Sequence, residues 1–303
     1  MRFVVSGGLG FAGTHLCRQI EAEGHEAISL DLAGEAALAC DIRDPDAVEK
    51  AIGAVRPDGI FHLAGIAFVP AAGADPGLAR AVNVDGTRHI LDAADKVGAR
   101  TLTVSSGNVY GFSRTDEELP VTEDLVPAPA DEYSRTKFEA ERESLARNGR
   151  QDFVIARPFN HTGPGQSPDF VCSDFADQVA RREAAGDSSP LRVGDLRAER
   201  DFSDVRDVVR AYWMLWNDGT AGQAYNICSG RAVAISEVLE KLLAMARIEL
   251  SAEVEKARLR PGEASRFYGS YAKLAEATGW QPECSLDRTL AELLDDRRSR
   301  AAS

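Results

Sequence analysis

The sequence predicts an α/β fold, a doubly wound parallel sheet joined to a smaller mixed α/β C-terminal half. Three observations carry this. Apolar runs that read as buried strands alternate with amphipathic segments over residues 1–157. The first run, Phe3 to Val5, breaks on Gly7, Gly10 and Gly13 and opens into an amphipathic segment, Thr14 to Glu23. Beyond Pro158 the alternation loosens into turns and shorter elements. The expected division is therefore 1–158 and 159–303, the second part interleaved with the first.

Each element has its own reason. In the opening strand, Gly7 suits the tight turn, Gly10 lets backbone approach a pyrophosphate, and Gly13 lets helix pack on strand. Phosphates would sit on the free N–H groups at the helix N-terminus. A plain strand-turn-helix is the alternative, because glycine-rich turns are common. Asp31, closing the next strand from Ala27 to Leu30, supplies the acid that a Rossmann-type dinucleotide site requires. Its carboxylate suits ribose hydroxyls and repels a 2′-phosphate, which predicts NAD(H) in preference to NADP(H). Cys40 to Ile42 reads as a strand end, Pro45 to Val55 as a helix, and Ile60 to Gly65 as a buried strand whose His62 reads as a packed core histidine, a catalytic one being the alternative. Ala79 to Val97 reads as one long helix, and Thr101 to Ser105 as a strand running into Ser106-Gly107-Asn108. The acidic, proline-rich stretch from Glu117 to Pro129 reads as a surface excursion near a site. Tyr133 opens a charged helix to about Arg147, followed by a strand from Asp152 to Arg157. Helices are expected at Phe170–Ala185, Asp204–Asn217 and Ile235–Arg247, with strands near Leu191–Val193 and Ala224–Ile227. The charged end, Asp295 to Ser303, is expected to fray.

Composition narrows the partners. The 303 residues are 44% hydrophobic and 27% charged, ordinary for a globular chain with a real core. A net charge of −13 argues against nucleic acid or an anionic membrane. No apolar run approaches the ~20 residues of a membrane span. Five scattered cysteines without a CxxC pair fit reduced thiols in a cytoplasmic enzyme, with no metal site. The first strand starts at once, leaving no room for a signal peptide.

Tyr133 and Lys137 stand four apart and share a helix face. An ammonium beside a phenol lowers its pKa from the usual value of about 10, so the tyrosine can exchange a proton with a substrate oxygen near neutral pH. Ser106 could hydrogen-bond the same oxygen. Alone, such a Tyr-Lys pair is more often a solvated helix face; the upstream fingerprint changes that reading.

These residues resemble the extended short-chain dehydrogenase/reductase family over essentially the whole chain. The landmarks are Gly7-x-x-Gly10-x-x-Gly13, Asp41-Ile42, His62-Leu63-Ala64, Asn83-Val84-x-Gly86-Thr87, Ser106 and Tyr133-x-x-x-Lys137. The resemblance implies Ser106, Tyr133 and Lys137 as catalytic residues. It implies cofactor contacts at Gly7, Gly10, Phe11, Ala12, Gly13, Asp31, Asp41, Ile42, Leu63, Ala64, Gly65, Asn83, Ser105, Tyr133 and Lys137. The loop from Arg157 to Gln166, the stretches Val193–Leu196 and Arg200–Val205, and Leu259-Arg260-Pro261-Gly262-Glu263 look like the branch that handles GDP-mannose-derived sugars. By that likeness Asn108, Asn160, Val171, Arg192, Arg200, Arg260 and Glu263 would contact a GDP-sugar. The alternative for Arg200 and Arg260 is a surface ion pair.

Relatives that are 4,6-dehydratases carry an acid pair after the catalytic Ser/Thr; here Gly107 and Asn108 stand there, and neither is an acid or base near neutral pH. The expected activity is reduction of the C4 ketone of a nucleoside diphosphate 4-keto-6-deoxyhexose, GDP-4-keto-6-deoxy-D-mannose to GDP-D-rhamnose or GDP-6-deoxy-D-talose. A nucleotide-sugar 4-epimerase and a non-catalytic NAD-binding regulatory protein are the competing readings. The family's habit implies a homodimer through the helices near residues 79–97 and 133–147.

Overall fold

The computed structural model describes residues 1–32, 36–112, 115–258 and 266–301. In chain order the regular elements begin with β1 (Arg2–Ser6), α1 (Phe11–Ala22), β2 (Glu26–Asp31), β3 (Leu38–Ala39), α2 (Pro45–Val55) and β4 (Gly59–His62). Next come α3 (Val69–Ala74), α4 (Pro76–Arg80), α5 (Gly86–Val97), β5 (Arg100–Val104), α6 (Glu132–Leu145) and β6 (Phe153–Pro158). The later part holds β7 (Asn160–Thr162), α7 (Val171–Ala185), β8 (Leu191–Val193), β9 (Glu199–Arg200), β10 (Phe202–Asp204), α8 (Val205–Asp218) and β11 (Ala224–Ile227). It ends with β12 (Val233–Ala234), α9 (Ile235–Ala244), β13 (Ala252–Val254), β14 (Arg266–Phe267), α10 (Ala272–Thr278) and α11 (Leu286–Ala301).

Seven strands form one sheet in the order β11-β6-β5-β4-β1-β2-β3. Every pairing in it is parallel. Such a sheet needs helices on both faces. The period of two in β1 shows how this is met. Phe3 and Val5 enter the core shared with Leu16 and Ile20 of α1 and with Val208, Tyr212 and Trp213 of α8. Val4 points the other way, into the core with Val48 and Ile52 of α2 and Ile90 and Ala94 of α5. The second half has its own core, where Phe175 and Val179 of α7, Val238 and Leu242 of α9 and Leu290, Leu293 and Leu294 of α11 meet. The chain returns to the large sheet after leaving it: α8 packs beside α1 and β11 pairs with β6. Among the described residues, no helix is long and apolar enough to cross a membrane.

Four details differ from the sequence reading. Residues 79–97 are not one regular helix: α4 passes through a wider π-helical turn, Ala81–Asp85, into α5. The wide turn lets Asn83 face inward, where its amide pairs with Ile66, a use typical of such turns at functional positions. The strand near residue 40 is Leu38–Ala39, and the helix at 235 stops at Ala244. The charged end does not fray at Asp295, because α11 runs on to Ala301. Arg298 explains it: Nε and Nη2 donate to Glu183 at 2.7 and 2.8 Å, and Nη2 also donates to the Met245 carbonyl at 2.8 Å. Arg298→Ala would leave the mostly buried Glu183 carboxylate with only the Arg247 N–H, a loss of about 1–3 kcal/mol. The expected result is a melting temperature lower by several degrees in a thermal scan; an unchanged melting point would mean that the last turns are dispensable.

Candidate active site

The glycine turn comes first, because its geometry admits no other residue. Gly7 has φ +72°, and a Cβ there would stand 2.8 Å from the Ala64 nitrogen. A Cβ on Gly13 would lie 2.0 Å from the Gly7 carbonyl, so α1 crosses the turn at backbone contact. No side chain caps the start of α1 at Gly10, which leaves its first N–H groups to a ligand. Phe11 and Ala12 begin that helix. At the end of β2, Asp31 accepts from the Leu9 N–H at 3.1 Å and the Leu32 N–H at 2.9 Å. One bond to each oxygen leaves lone pairs for ribose hydroxyls. The residues present therefore fit a dinucleotide: a helix N-terminus stripped to backbone, with an acid beside it.

Beneath the turn runs a polar relay. Thr87 Oγ1 donates to the Asn83 carbonyl at 2.6 Å, so it accepts from His62 Nε2 at 2.9 Å. The lone pair on His62 Nδ1 then accepts from Ser6 Oγ at 2.6 Å, and Ser6 in turn accepts from the Ala64 N–H at 3.4 Å. Burial, helped by the Lys137 charge, holds the His62 pKa at about 3, so the ring stays neutral and structural. Leu63 donates its N–H to the Ser6 carbonyl. Asn83, expected at the cofactor, spends both amide hydrogens on protein, the Ile66 carbonyl and Thr136 Oγ1. It fixes the loop holding Gly65, where a Cβ would lie 2.9 Å from Asn83 Oδ1 and 3.3 Å from Lys137 Nζ. Ile42 is likewise a packing residue, its side chain pressed on Gly86, while Asp41 is paired with Arg43.

Ser106, Tyr133 and Lys137 are buried together. Ser106 ends the stretch after β5 and caps a short turn, Gly107–Tyr110, by accepting the Asn108 N–H at 3.2 Å. Its neighbour Ser105 is buried, with an Oγ that has no partner among the described residues. Asp131 caps α6 by accepting the Ser134 N–H at 2.7 Å, and this sets where Tyr133 and Lys137 fall. Lys137 Nζ reaches back to the Val104 carbonyl at 2.8 Å. Burial lowers the Lys137 pKa to about 8, opposed by Glu141. Burial pushes the Tyr133 phenol up, a hydrogen bond with Ser106 pulls it down, and Asp131 raises it. The causes acting on this phenol are thus burial, Ser106 and Asp131, with burial the largest, and Tyr133 rests protonated.

The dehydratase position is closed as well as vacant of acid. A Cβ on Gly107 would lie 2.8 Å from the Phe159 ring. Among the expected substrate contacts, Asn160 lies in β7 beside Phe202, and Val171 opens α7. Arg200 is buried rather than on the surface: it is 8% exposed, and its guanidinium sits 5.0 Å from the Phe112 ring centre. Arg192 is exposed on β8 and paired with Glu253. Arg260 and Glu263, with the rest of their motif, fall outside the described residues.

Two arrangements escaped the sequence reading. Asp201, buried and raised to about 6 by desolvation, accepts N–H groups of Ser229, Gly230 and Gly269 and ties three loops together. His161 stacks on Phe11 at 5.9 Å while His15 Nε2 donates to the Pro164 carbonyl at 2.9 Å, joining the glycine turn to the second half. The glycine- and proline-rich run around His161 was the available signal for the second.

A Rossmann-type sheet, a stripped helix N-terminus and a buried Ser-Tyr-Lys group define an NAD(P)-dependent enzyme of the extended short-chain dehydrogenase/reductase type. The chain belongs to the NAD dependent epimerase/dehydratase family, whose model matches residues 3–228. It is 37% identical to GDP-6-deoxy-D-mannose reductase of Pseudomonas aeruginosa, over 99% of this chain and 98% of that protein. It is 28% identical to UDP-glucose 4-epimerase of Mycolicibacterium smegmatis, over 99% of this chain and 100% of that one. The structure of RMD from Pseudomonas aeruginosa complexed with NADPH superposes with a TM-score of 0.89 at 36% identity, covering 99% of both chains.

Gly107→Ala puts a methyl group into the Phe159 ring, and overpacking of this kind costs about 1–3 kcal/mol. The expected outcome is a folded protein with a lower melting temperature; unaltered stability would show that the ring yields freely.

Proposed function

We propose that the protein reduces the C4 ketone of a GDP-4-keto-6-deoxyhexose, with GDP-4-keto-6-deoxy-D-mannose as substrate and GDP-D-rhamnose or its C4 epimer as product. The carrying observation is the closed Gly107 position. With Phe159 occupying that space, the site offers Ser106, Tyr133 and Lys137 but no acid pair for dehydration. The P. aeruginosa reductase supports the choice of sugar nucleotide.

NAD(P)H, when bound, supplies the hydride that a ketone carbon accepts. The protein's part is to place and protonate the oxygen. Ser106 Oγ would hydrogen-bond the C4 oxygen, and Tyr133, resting protonated, would give it a proton as negative charge develops there. Lys137 would hold the nicotinamide ribose, Asp31 the adenosine ribose, and residues 10–13 the pyrophosphate. Asn160 and Arg200 would face the sugar diphosphate, with Arg260 and Glu263 on its nucleotide end. Residues 159–303, apart from α8, β11 and α10, would form the substrate half. We further propose NADH as the preferred reductant, on the ground of the Asp31 carboxylate, and a cytoplasmic homodimer through the α5 and α6 faces.

The test is loss of nicotinamide absorbance when the keto-sugar is added to enzyme with NADH or NADPH. Substrate-dependent loss supports the reading; none, with NAD retained through purification, would transfer it to epimerisation. Tyr133→Phe is expected to lower turnover by about 10²–10⁴-fold with NADH binding kept. Near-normal turnover would remove Tyr133 from the chemistry. Asp31→Ala is expected to move the NADH:NADPH preference by about tenfold toward NADPH, equivalent to ~1.4 kcal/mol. An unmoved ratio would refute its role as the discriminating acid.

A further inference from the structure

Under the three polar residues of the site lies a second polar group that the chemistry above does not use. Glu141 on α6 is completely buried, and Arg157 on β6 nearly so. Arg157 Nε donates to Glu141 Oε1 at 2.8 Å and Nη2 to Oε2 at 2.7 Å, a two-pronged pair. Its Nη1 donates to Tyr110 Oη at 2.7 Å, and Tyr110 Oη donates to Asn226 Oδ1 at 2.9 Å. Asn226 Nδ2 closes the chain on the Val121 carbonyl at 3.1 Å.

A buried ion pair adds little net stability over well-packed apolar residues of the same volume. What it does supply is direction, because two parallel N–H···O bonds fix distance and angle together. Here the directed parts are those that matter. Glu141 is one turn beyond Lys137 and two beyond Tyr133 on α6. Tyr110 ends the turn that Ser106 begins. Arg157 stands three residues before Asn160.

We propose that Arg157 and Glu141 are positioning residues of the Ser106–Tyr133–Lys137 site, fixing α6 against the Ser106 turn and holding a negative charge beside the Lys137 ammonium. The proposal rests on the roles given above to those three residues. Its electrostatic part has a definite sign. The titratable groups near the ammonium are Glu141 on its own helix, Tyr133 one turn back and His62 from β4, the last two uncharged near neutral pH. Arg157 lies behind Glu141. Among the described residues Glu141 is thus the anion favouring the charged lysine, and without it Lys137 loses its proton at a lower pH than its present value of about 8.

The experiment compares the wild type with Glu141→Gln and Tyr110→Phe. NADH affinity is followed by nicotinamide fluorescence across pH, alongside kcat, KM and thermal unfolding. In the wild type, NADH binding should weaken as pH rises through about 8. In Glu141→Gln that limb should move down by about one pH unit. Its kcat should fall about tenfold or more while KM changes little, as expected for misplacement of reacting groups. Tyr110→Phe, which keeps both charges, should lower kcat about threefold or more with the limb unmoved. A folded Glu141→Gln with the wild-type limb and kcat overturns the proposal. If that variant does not fold, an unchanged kcat in Tyr110→Phe overturns it instead. Wild type that binds NADH but reduces no keto-sugar defeats the functional reading alone, since the shift of the binding limb is still read.

Discussion

The arrangement of the site hangs on one close approach, Gly13 against the Gly7 carbonyl. At that separation α1 rests on the turn through backbone alone, with no side chain between. Two consequences follow. The open end of the helix points into the turn, so its unpaired N–H groups and dipole face the place where phosphates belong. Phe11, first in the helix, then lies where His161 of the second half can stack on it. A methyl group at residue 13 would lift the helix, and the glycine turn and its tie to the second half through His161 would move together.

The polar relay behind the turn is paired throughout and uncharged. Ser6, His62, Thr87 and Asn83 pass hydrogen bonds in one direction, which a neutral imidazole allows and an imidazolium, donating from both nitrogens, would break. Lys137 is the exception, a cation held under burial with a carbonyl and an anion near it. Groups that are costly to bury without partners are gathered where charge develops during reduction, as in sites built for electrostatic catalysis.

Much of this was legible in the sequence because it is local. The strand–glycine–helix opening, Asp31 at the next strand end and the four-residue spacing of Tyr133 and Lys137 each lie within one or two elements. What escaped depends on distant pairing. Strands of two or three residues, such as β12, β9 and β14, exist only because their neighbours are alongside, and no window along the chain reveals them. The charges from Asp295 to Arg300 looked solvated because Glu183, which holds Arg298, lies far upstream. The π-helical turn at Ala81–Asp85 is shaped by what Asn83 reaches, and a periodicity cannot register that. The Tyr133 site is legible in the same partial way: spacing revealed the lysine and hid the burial.

The return of β11 to the large sheet bears on how the molecule could be divided. A fragment ending at Pro158 would leave β6 as an open edge, its backbone groups without the partner that Ala224–Ile227 provides. It would also strip α8 from the face built on Phe3, Leu16 and Phe61, baring a broad apolar surface. Bare strand edges and apolar faces are what drive sheets to aggregate. Residues 1–158 are therefore not a detachable module: a chain truncated at that boundary would be prone to aggregate, and any transfer of this sheet to another second half must carry α8 and β11 with it.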